Sequence, residues 1–334
     1  MRRVKKILND PTKVVAEALE GIVLASDGIA TLMPERTIVL RAEKRTGKPA
    51  LLIGGGSGHE PMFSGYVGPG LADGAVCGQV FAAPSPDLVL DATKAVDGGK
   101  GVLFVYGNYA GDVMNFDMGA ELAADEGIET RTVRVRDDVA AAPPERLDDR
   151  RGIAGDVFVI KIAGAAAEAV DTLDELHRIA AKAEANTRSI GVAVSAGSIP
   201  ETGIPTFEIG DDEIEIGMGA HGEPGTRRQK LAPADEVVDE MMNQLLADMP
   251  LATGDEVGLL INNLGSSTAM ELLVANRRVR ARLAAIGVTV HETEIGPFIT
   301  SQEMAGFSIT LIRLDDELKR FLDAPARSFA YSRG

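Results

Sequence analysis

Two segments of the same make-up constrain this chain more than anything else in it. The apolar run Ala50-Leu51-Leu52-Ile53 passes directly into Gly54-Gly55-Gly56-Ser57-Gly58-His59-Glu60-Pro61. The alternating run Glu213-Ile214-Glu215-Ile216 passes into Gly217-Met218-Gly219-Ala220-His221-Gly222-Glu223-Pro224-Gly225. Each reads as a strand that ends in clustered glycines around one histidine. Glycines so placed mark a sharp turn whose backbone something approaches closely. The remaining chain reads as a scaffold that brings the two histidine loops together.

Taken in order, the chain alternates strand, glycine loop and helix, the pattern of α/β layering. Asn9-Asp10-Pro11 predicts a helix start, with a capping side chain and then proline, and Val14, Val15, Ala18, Leu19, Ile22 and Val23 give that helix a buried stripe. Strands are predicted at 37–40, 50–53 and 74–81, then a helix from Ser85-Pro86-Asp87 to Val96. The continuous apolar run Gly101 to Tyr106 suits a strand covered on both faces and leads into Gly107-Asn108-Tyr109-Ala110-Gly111-Asp112 and a helix ending near Gly127. After a strand at 130–135 and a charged loop at 148–155 come alanine-rich helices at 157–169 and 173–185. Strands follow at 190–194, 206–209 and 213–216, then an amphipathic helix at 233–249. A strand at 257–261 runs into Asn262-Asn263-Leu264-Gly265, and the helix after it ends at Gly287. Strands at 288–290 and 307–314 precede a last helix from Asp315. The expected division is an N-terminal α/β domain, 1–188, and a C-terminal one, 189–334, carrying His221.

The formal charge of −16 argues against nucleic acid as a partner, because phosphate backbones repel acidic surfaces. No apolar run reaches the roughly 20 residues that cross a bilayer, and Met1-Arg2-Arg3-Val4-Lys5-Lys6 is followed by no signal-peptide core. A single cysteine, Cys77, suits a reducing compartment, so the expected location is the cytoplasm. Two basic clusters, Arg150-Arg151 and Arg227-Arg228 with Lys230, read either as sites for a phosphorylated product or acidic partner, or as solvated turns.

The motifs exclude some chemistries and leave others open. The first glycine loop is followed by His-Glu-Pro and not by a helix bearing Lys-Ser/Thr, so it is no P-loop. Pro61 and Gly65 argue against the helix that a dinucleotide fingerprint opens. His59 and His221 are two of four histidines, each in a turn at a strand end, where α/β sheets bind ligands. His177 sits inside a predicted helix and His291 at a strand end. A metal site built from the two histidines with Asp112 or Glu223 is an open alternative, without the short spacing that marks one. Asp112 reads either as an N-cap carboxylate or as a base at the same sheet edge.

These blocks, with Asn262-Asn263-Leu264-Gly265 and Met304-Ala305-Gly306-Phe307-Ser308-Ile309-Thr310-Leu311, resemble the substrate-binding K subunits of dihydroxyacetone kinases, the Dak1 domain family, from about Pro11 to Pro325. The resemblance implies two α/β domains of layered sheets and helices (Dak1/DegV-like), a ketose site at their junction, and a homodimer acting in glycerol metabolism. It implies that His221 adds to the ketone carbon to give a hemiaminal. His59 and Asp112 are implied in proton transfer and activation of the hydroxyl that receives phosphate. Gly56, Ser57, Gly58 and Gly107 are the implied substrate-binding positions. No metal or cofactor is implied on this chain. ATP, or ADP recharged by a phosphotransferase-system protein, with magnesium, is expected on a separate helical L-type (DhaL) subunit, for which the chain to Gly334 has no room. Alone the chain is expected to be inactive as a kinase.

Two departures bear on the substrate. Many members known for dihydroxyacetone carry Lys-Asn-Tyr where this chain has Gly107-Asn108-Tyr109, and Ser or Thr where Ala82-Ala83 precede Pro84. A roomier, less polar site suits a tetrulose such as erythrulose as the alternative ketose. A different alternative is a non-catalytic ketose sensor that docks onto a transcription regulator. Retention of His59, Asp112 and His221 favours the enzyme, since a sensor needs no base.

Overall fold

The run Val102–Gly107 shows what organises the first half of the chain. In the computed structural model, which describes residues 4–334, all six of its residues are buried and it pairs in parallel on both sides. Among the described residues the chain forms two six-stranded sheets and a short hairpin, each sheet within its own compact unit.

The first unit holds α1 (Val14–Ala25), β1 (Ala30–Leu32), β2 (Ile38–Arg41), β3 (Ala50–Ser57), β4 (Gly74–Val80), α2 (Pro86–Val96), β5 (Val102–Gly107), α3 (Ala110–Asp125) and β6 (Thr130–Val135). It also holds α4 (Asp156–Ala169) and α5 (Leu173–Ala185). Its strand order is β1-β2-β4-β3-β5-β6; β4, β3, β5 and β6 run parallel, and β1 and β2 are antiparallel additions at one edge. Parallel strands are joined by crossovers that cover both faces, so the strands need apolar residues on both. Leu52, Phe104 and Tyr106 meet Val89, Ala92 and Val96 of α2 and Phe116 of α3. The alternate residues Leu51, Ile53, Leu103 and Val105 are equally buried, and α4 and α5 pack against this sheet. α4 is accordingly apolar all round, and its Lys161, 1% exposed, places Nζ 2.8 Å from the Phe321 carbonyl.

The second unit is built on β7 (Thr187–Ser195), β8 (Glu213–Ile216), β9 (Arg227–Lys230), α6 (Ala234–Asp248), β10 (Glu256–Asn263), α7 (Ala269–Ala285), β11 (Thr289–Gly296) and β12 (Ala305–Leu314). Strand order is β11-β10-β12-β7-β8-β9, parallel only between β10 and β11. α6 and α7 cover one face, where Met241, Met242 and Leu245 meet Val192, Ile216, Leu259 and Ile309. A capping box between Thr268 and Glu271 starts α7. The chain ends in the first unit with α8 (Asp316–Asp323) and the hairpin β13 (Ala326–Arg327) and β14 (Ser332–Arg333).

The units therefore differ from a single cut between 188 and 189. Arg136–Gly155 belongs with the second sheet and Asp316–Gly334 with the first. The physical reason is a side-chain tie that the local sequence does not advertise: Arg150, 1% exposed, donates from Nε to the Ala142 carbonyl and pairs through both terminal nitrogens with Asp248 at the end of α6. Both readings of the Arg150-Arg151 pair, an anion site or a solvated turn, are overturned. Residues 206–209 form no strand; the chain bends at 206 and 207. β9, Arg-Arg-Gln-Lys, carries no hydrophobic signal because it is an edge strand, whose charges keep other chains from adding to it. Arg227, Arg228 and Lys230 on it pair with Glu240, Glu215 and Asp212. Among the described residues no helix is long and apolar enough to cross a membrane.

Candidate functional site

In the first unit the loops after β3, β4 and β5 leave the carboxyl ends of adjacent parallel strands. The loop after β3 folds back on itself. Ser57 donates its hydroxyl to the Gly78 carbonyl (2.7 Å) and its own carbonyl accepts the Phe81 amide (2.8 Å). At Gly56 the glycine is required by the protein's own backbone: an added Cβ would lie 2.8 Å from the Ala82 nitrogen. The close approach expected for a ligand is thus made, at Gly56, by the chain after β4. Gly58 donates its amide to the Glu60 carboxylate (3.0 and 3.1 Å). Burial pushes the Glu60 carboxyl up, against the pull of those amide hydrogen bonds.

His59 is 5% exposed, its ring 5.0 Å from that of Phe81. Cys77, buried nearby, is pushed up to about 12, first by burial and then by the charge of Glu60, so it is no thiolate at neutral pH. Gly107 ends β5, and the Asn108 amide reaches the Val135 carbonyl (3.0 Å). Tyr109 occupies the N-cap of α3, which replaces the N-cap reading of Asp112. Asp112 lies in the first helical turn, where the unpaired amides favour a negative charge. Asn115 of the same helix donates to the Pro84 carbonyl (2.8 Å), which ties α3 to the segment after β4. His59, Gly56, Ser57, Gly58, Gly107 and Asp112 therefore share one edge of one sheet.

His221 belongs to the second unit. Its loop leaves β8 and is pinned at both ends: Gly217 donates to the Gly191 carbonyl (2.7 Å), Thr226 to that of Ile216 (2.8 Å), and Gly225 to the buried Glu215 carboxylate (2.7 Å). Between those anchors the imidazole stays 27% exposed. Glu223 accepts the His221 amide (2.9 Å), and its second oxygen lies 3.2 Å from Nδ1. Sequence reasoning placed Glu223 only in a metal set. The signal for its present role is local, a carboxylate two residues beyond the histidine across a glycine. Arg151, beneath the loop, had no such signal. His177 lies within α5, and His291 on β11 faces Glu256 (3.3 Å). Among the described residues no group of three or more His, Cys, Asp and Glu side chains is placed to hold a metal ion.

Against the loop lies a cavity of about 20 Å³ lined in part by Met218, Gly219, Ala220, Ser301 and Ser308. Among the described residues the hydroxyls of Ser301 and Ser308, each on a side chain in a residue 2% exposed, make no hydrogen bond. A buried hydroxyl without a partner costs stability. Ser308→Ala is therefore expected to raise the unfolding free energy by about 1 kcal/mol, read from the urea midpoint; a clear loss of stability would show the hydroxyl engaged.

Comparison with known proteins adds to this geometry. A family model described as the Dak1 domain matches residues 20–330. The chain is 48% identical to the PTS-dependent dihydroxyacetone kinase 2, dihydroxyacetone-binding subunit DhaK, of Listeria innocua serovar 6a, over 96% of this chain and 97% of that relative. It is 44% identical to the L-erythrulose 1-kinase of Mycolicibacterium smegmatis, over 98% of this chain but 58% of that longer protein. Among solved structures it is similar to the dihydroxyacetone kinase of C. freundii in its native form, with a TM-score of 0.91 and 34% identity, covering 98% of this chain and 60% of that one.

Proposed function

Because the chain belongs to the Dak1 domain family, we propose that it is the ketose-binding subunit of a dihydroxyacetone kinase. It captures a short ketose covalently at His221 and presents the terminal hydroxyl to a phosphoryl donor held by a separate L-type subunit. The observation that carries this reading is the state of His221: a partly exposed imidazole on a loop pinned at both ends, with its Nδ1 side occupied by a carboxylate.

The chemistry follows from the size of the substrate. A three-carbon ketose has too little surface to bind tightly without a bond. The ring nitrogen's lone pair forms a bond to the carbonyl carbon, the carbonyl π pair moves to oxygen, and the oxygen takes a proton from His59. The resulting hemiaminal fixes the molecule for transfer, and glycerol, with no carbonyl, is refused. Asp112 then takes the proton of the terminal hydroxyl as phosphorus approaches, and Gly56, Ser57, Gly58 and Gly107 line the substrate's path. Magnesium with ATP, or with an ADP recharged by a phosphotransferase-system protein, belongs to the partner. The chain works as a cytoplasmic homodimer.

Dihydroxyacetone is the first substrate of choice because the full-length relative at 48% identity carries that name. The tetrulose erythrulose is the second, supported by the similarity to an erythrulose kinase and by Gly107, which puts no side chain at the end of β5. Mixing the purified protein with an L-type subunit, Mg-ATP and either ketose tests the proposal by ³¹P NMR. Sugar phosphate is expected only when both proteins are present, with the better ketose identified by kcat/KM. An adduct with no phosphate formed from any short ketose would leave a ketose sensor in place of an enzyme.

A further inference from the structure

Capture of a carbonyl asks one thing of His221: a neutral ring with its lone pair on the nitrogen that meets the substrate. A neutral imidazole carries its proton on either nitrogen, so the surroundings must choose. In the second unit that choice is made by a short chain of charged groups. Glu223 faces Nδ1 at 3.2 Å. Burial pushes the Glu223 carboxyl up, but its hydrogen bonds to the His221 ring and to the His221 amide (2.9 Å) hold it below the ordinary carboxylate range. An ionised carboxylate has no hydrogen to give, so the proton in this contact resides on Nδ1.

Arg151 stands behind the same loop, 70 residues away in sequence from the histidine it serves. It donates from Nη2 to the Gly217 carbonyl (3.0 Å), at the base of the loop. A Cβ at Gly219 would collide with both Arg151 Nη1 and the Glu223 carboxylate, which shows how closely the two groups crowd that glycine. Arg151 is itself held by Asp138, from Nε (3.0 Å) and Nη2 (2.8 Å), with the Asp138 side chain fully buried and its second oxygen taking the Ala140 amide (3.0 Å). Burial and the neighbouring Asp137 push the Asp138 carboxyl up to about 7 against the pull of Arg151, and the paired hydrogen bonds fix the guanidinium in place.

We infer that Asp138, Arg151 and Glu223 are positioning residues that hold His221 as the Nδ1–H tautomer, so that Nε2 is the nitrogen that adds to the ketose. The inference rests on the reading of His221 given above. Asp138 orients Arg151; Arg151 braces the loop at Gly217 and, with Glu223, closes off the space at Gly219; Glu223 takes the Nδ1 proton in a hydrogen bond. When Nε2 bonds to the carbonyl carbon the ring becomes cationic, and the Glu223 carboxylate faces that new charge. The carbonyl oxygen takes its proton from His59, so atoms and charge balance with nothing oxidised or reduced.

The test reads the imidazole directly. Protein labelled with ¹⁵N-histidine carries four imidazoles, and His221→Gln identifies the signals of position 221. The expected wild-type pattern is a protonated Nδ1 and a bare Nε2 without any ketose present. Glu223→Gln and Arg151→Met are each expected to abolish that preference and to slow adduct formation with 1,3-dihydroxyacetone by ~10²-fold, as befits loss of a group that sets a tautomer. Should Arg151→Met unfold because Asp138 is left unpaired, Arg151→Met with Asp138→Asn removes both charges; it is expected to fold and to show the same loss. An Nε2–H ring in the wild type, or a wild-type tautomer and adduct rate in these variants, overturns the inference. Failure of wild-type protein to form any adduct overturns the underlying reading instead, and the NMR arm distinguishes the two.

Discussion

His221→Ala is expected to abolish the ketose adduct in native mass spectrometry and to cut kcat/KM for the reconstituted kinase by ~10³-fold or more, because the substrate loses the bond that positions it. Stability should change by no more than about 1 kcal/mol, since the ring is partly exposed and sits outside the core. Asp112→Asn separates capture from transfer. It should keep the adduct and lose phosphate transfer by ~10²–10⁴-fold, the usual contribution of a general base. His177→Ala serves as the control, unchanged in both assays. A His221→Ala protein that still forms the adduct would place the nucleophile elsewhere and end the proposal.

The second large effect concerns the fold. Asp248 is 7% exposed at its side chain and receives two guanidiniums, Arg150 at 1% and Arg188 at 15%. Asp248→Ala leaves both cations without their carboxylate and is expected to cost about 3–5 kcal/mol, the penalty for breaking a buried pair by removing one side. Arg150→Met should cost less, because Asp248 keeps Arg188 (2.6 Å). Burial pushes the Asp248 carboxyl up, yet its bonds to Arg150 and Arg188 pull it below the ordinary range. A carboxyl lowered by folding stabilises fully above its unfolded value of about 3.9 and loses that stabilisation as pH falls through the lowered value. Urea titrations at pH 7 and pH 3 should therefore show a smaller acid loss in Asp248→Ala than in the wild type. A change below about 1 kcal/mol at pH 7 would show that the pair contributes no more than a surface ion pair does.

Much of the fold was legible because local rules act within a few residues. Asp10 caps the turn into α1 through the Thr12 amide (3.0 Å), α2 begins at Pro86, and α7 stops two residues before Gly287. The parallel strands β3 and β5 announced themselves by unbroken apolar runs, which two covered faces demand. Two edge strands did not: β1 has three residues, and β9 is polar at every position. β11 runs to Gly296 through His291, Glu292 and Glu294, well past the apolar residues that suggested it, because its pairing partner β10 supplies the order. At the site, both histidine loops and Asp112 were recognisable from their residues. The role of Gly56 was not, since the atom it makes room for, the Ala82 nitrogen, comes from another loop.

By itself the sequence determined the periodic elements, the helix ends, the two glycine-histidine turns and the family, since each is written in residues close together along the chain. The tertiary structure alone decided which unit the stretch 136–155 joins, that Arg150 is buried and Arg151 half-buried, each in an ion pair and not spread on a surface, and which nitrogen of His221 faces a carboxylate. Those outcomes depend on partners such as Asp248 and Gly217, 98 and 66 residues away. A charged side chain carries the same chemical label whether water or a distant carboxylate satisfies it, and only the folded chain specifies which.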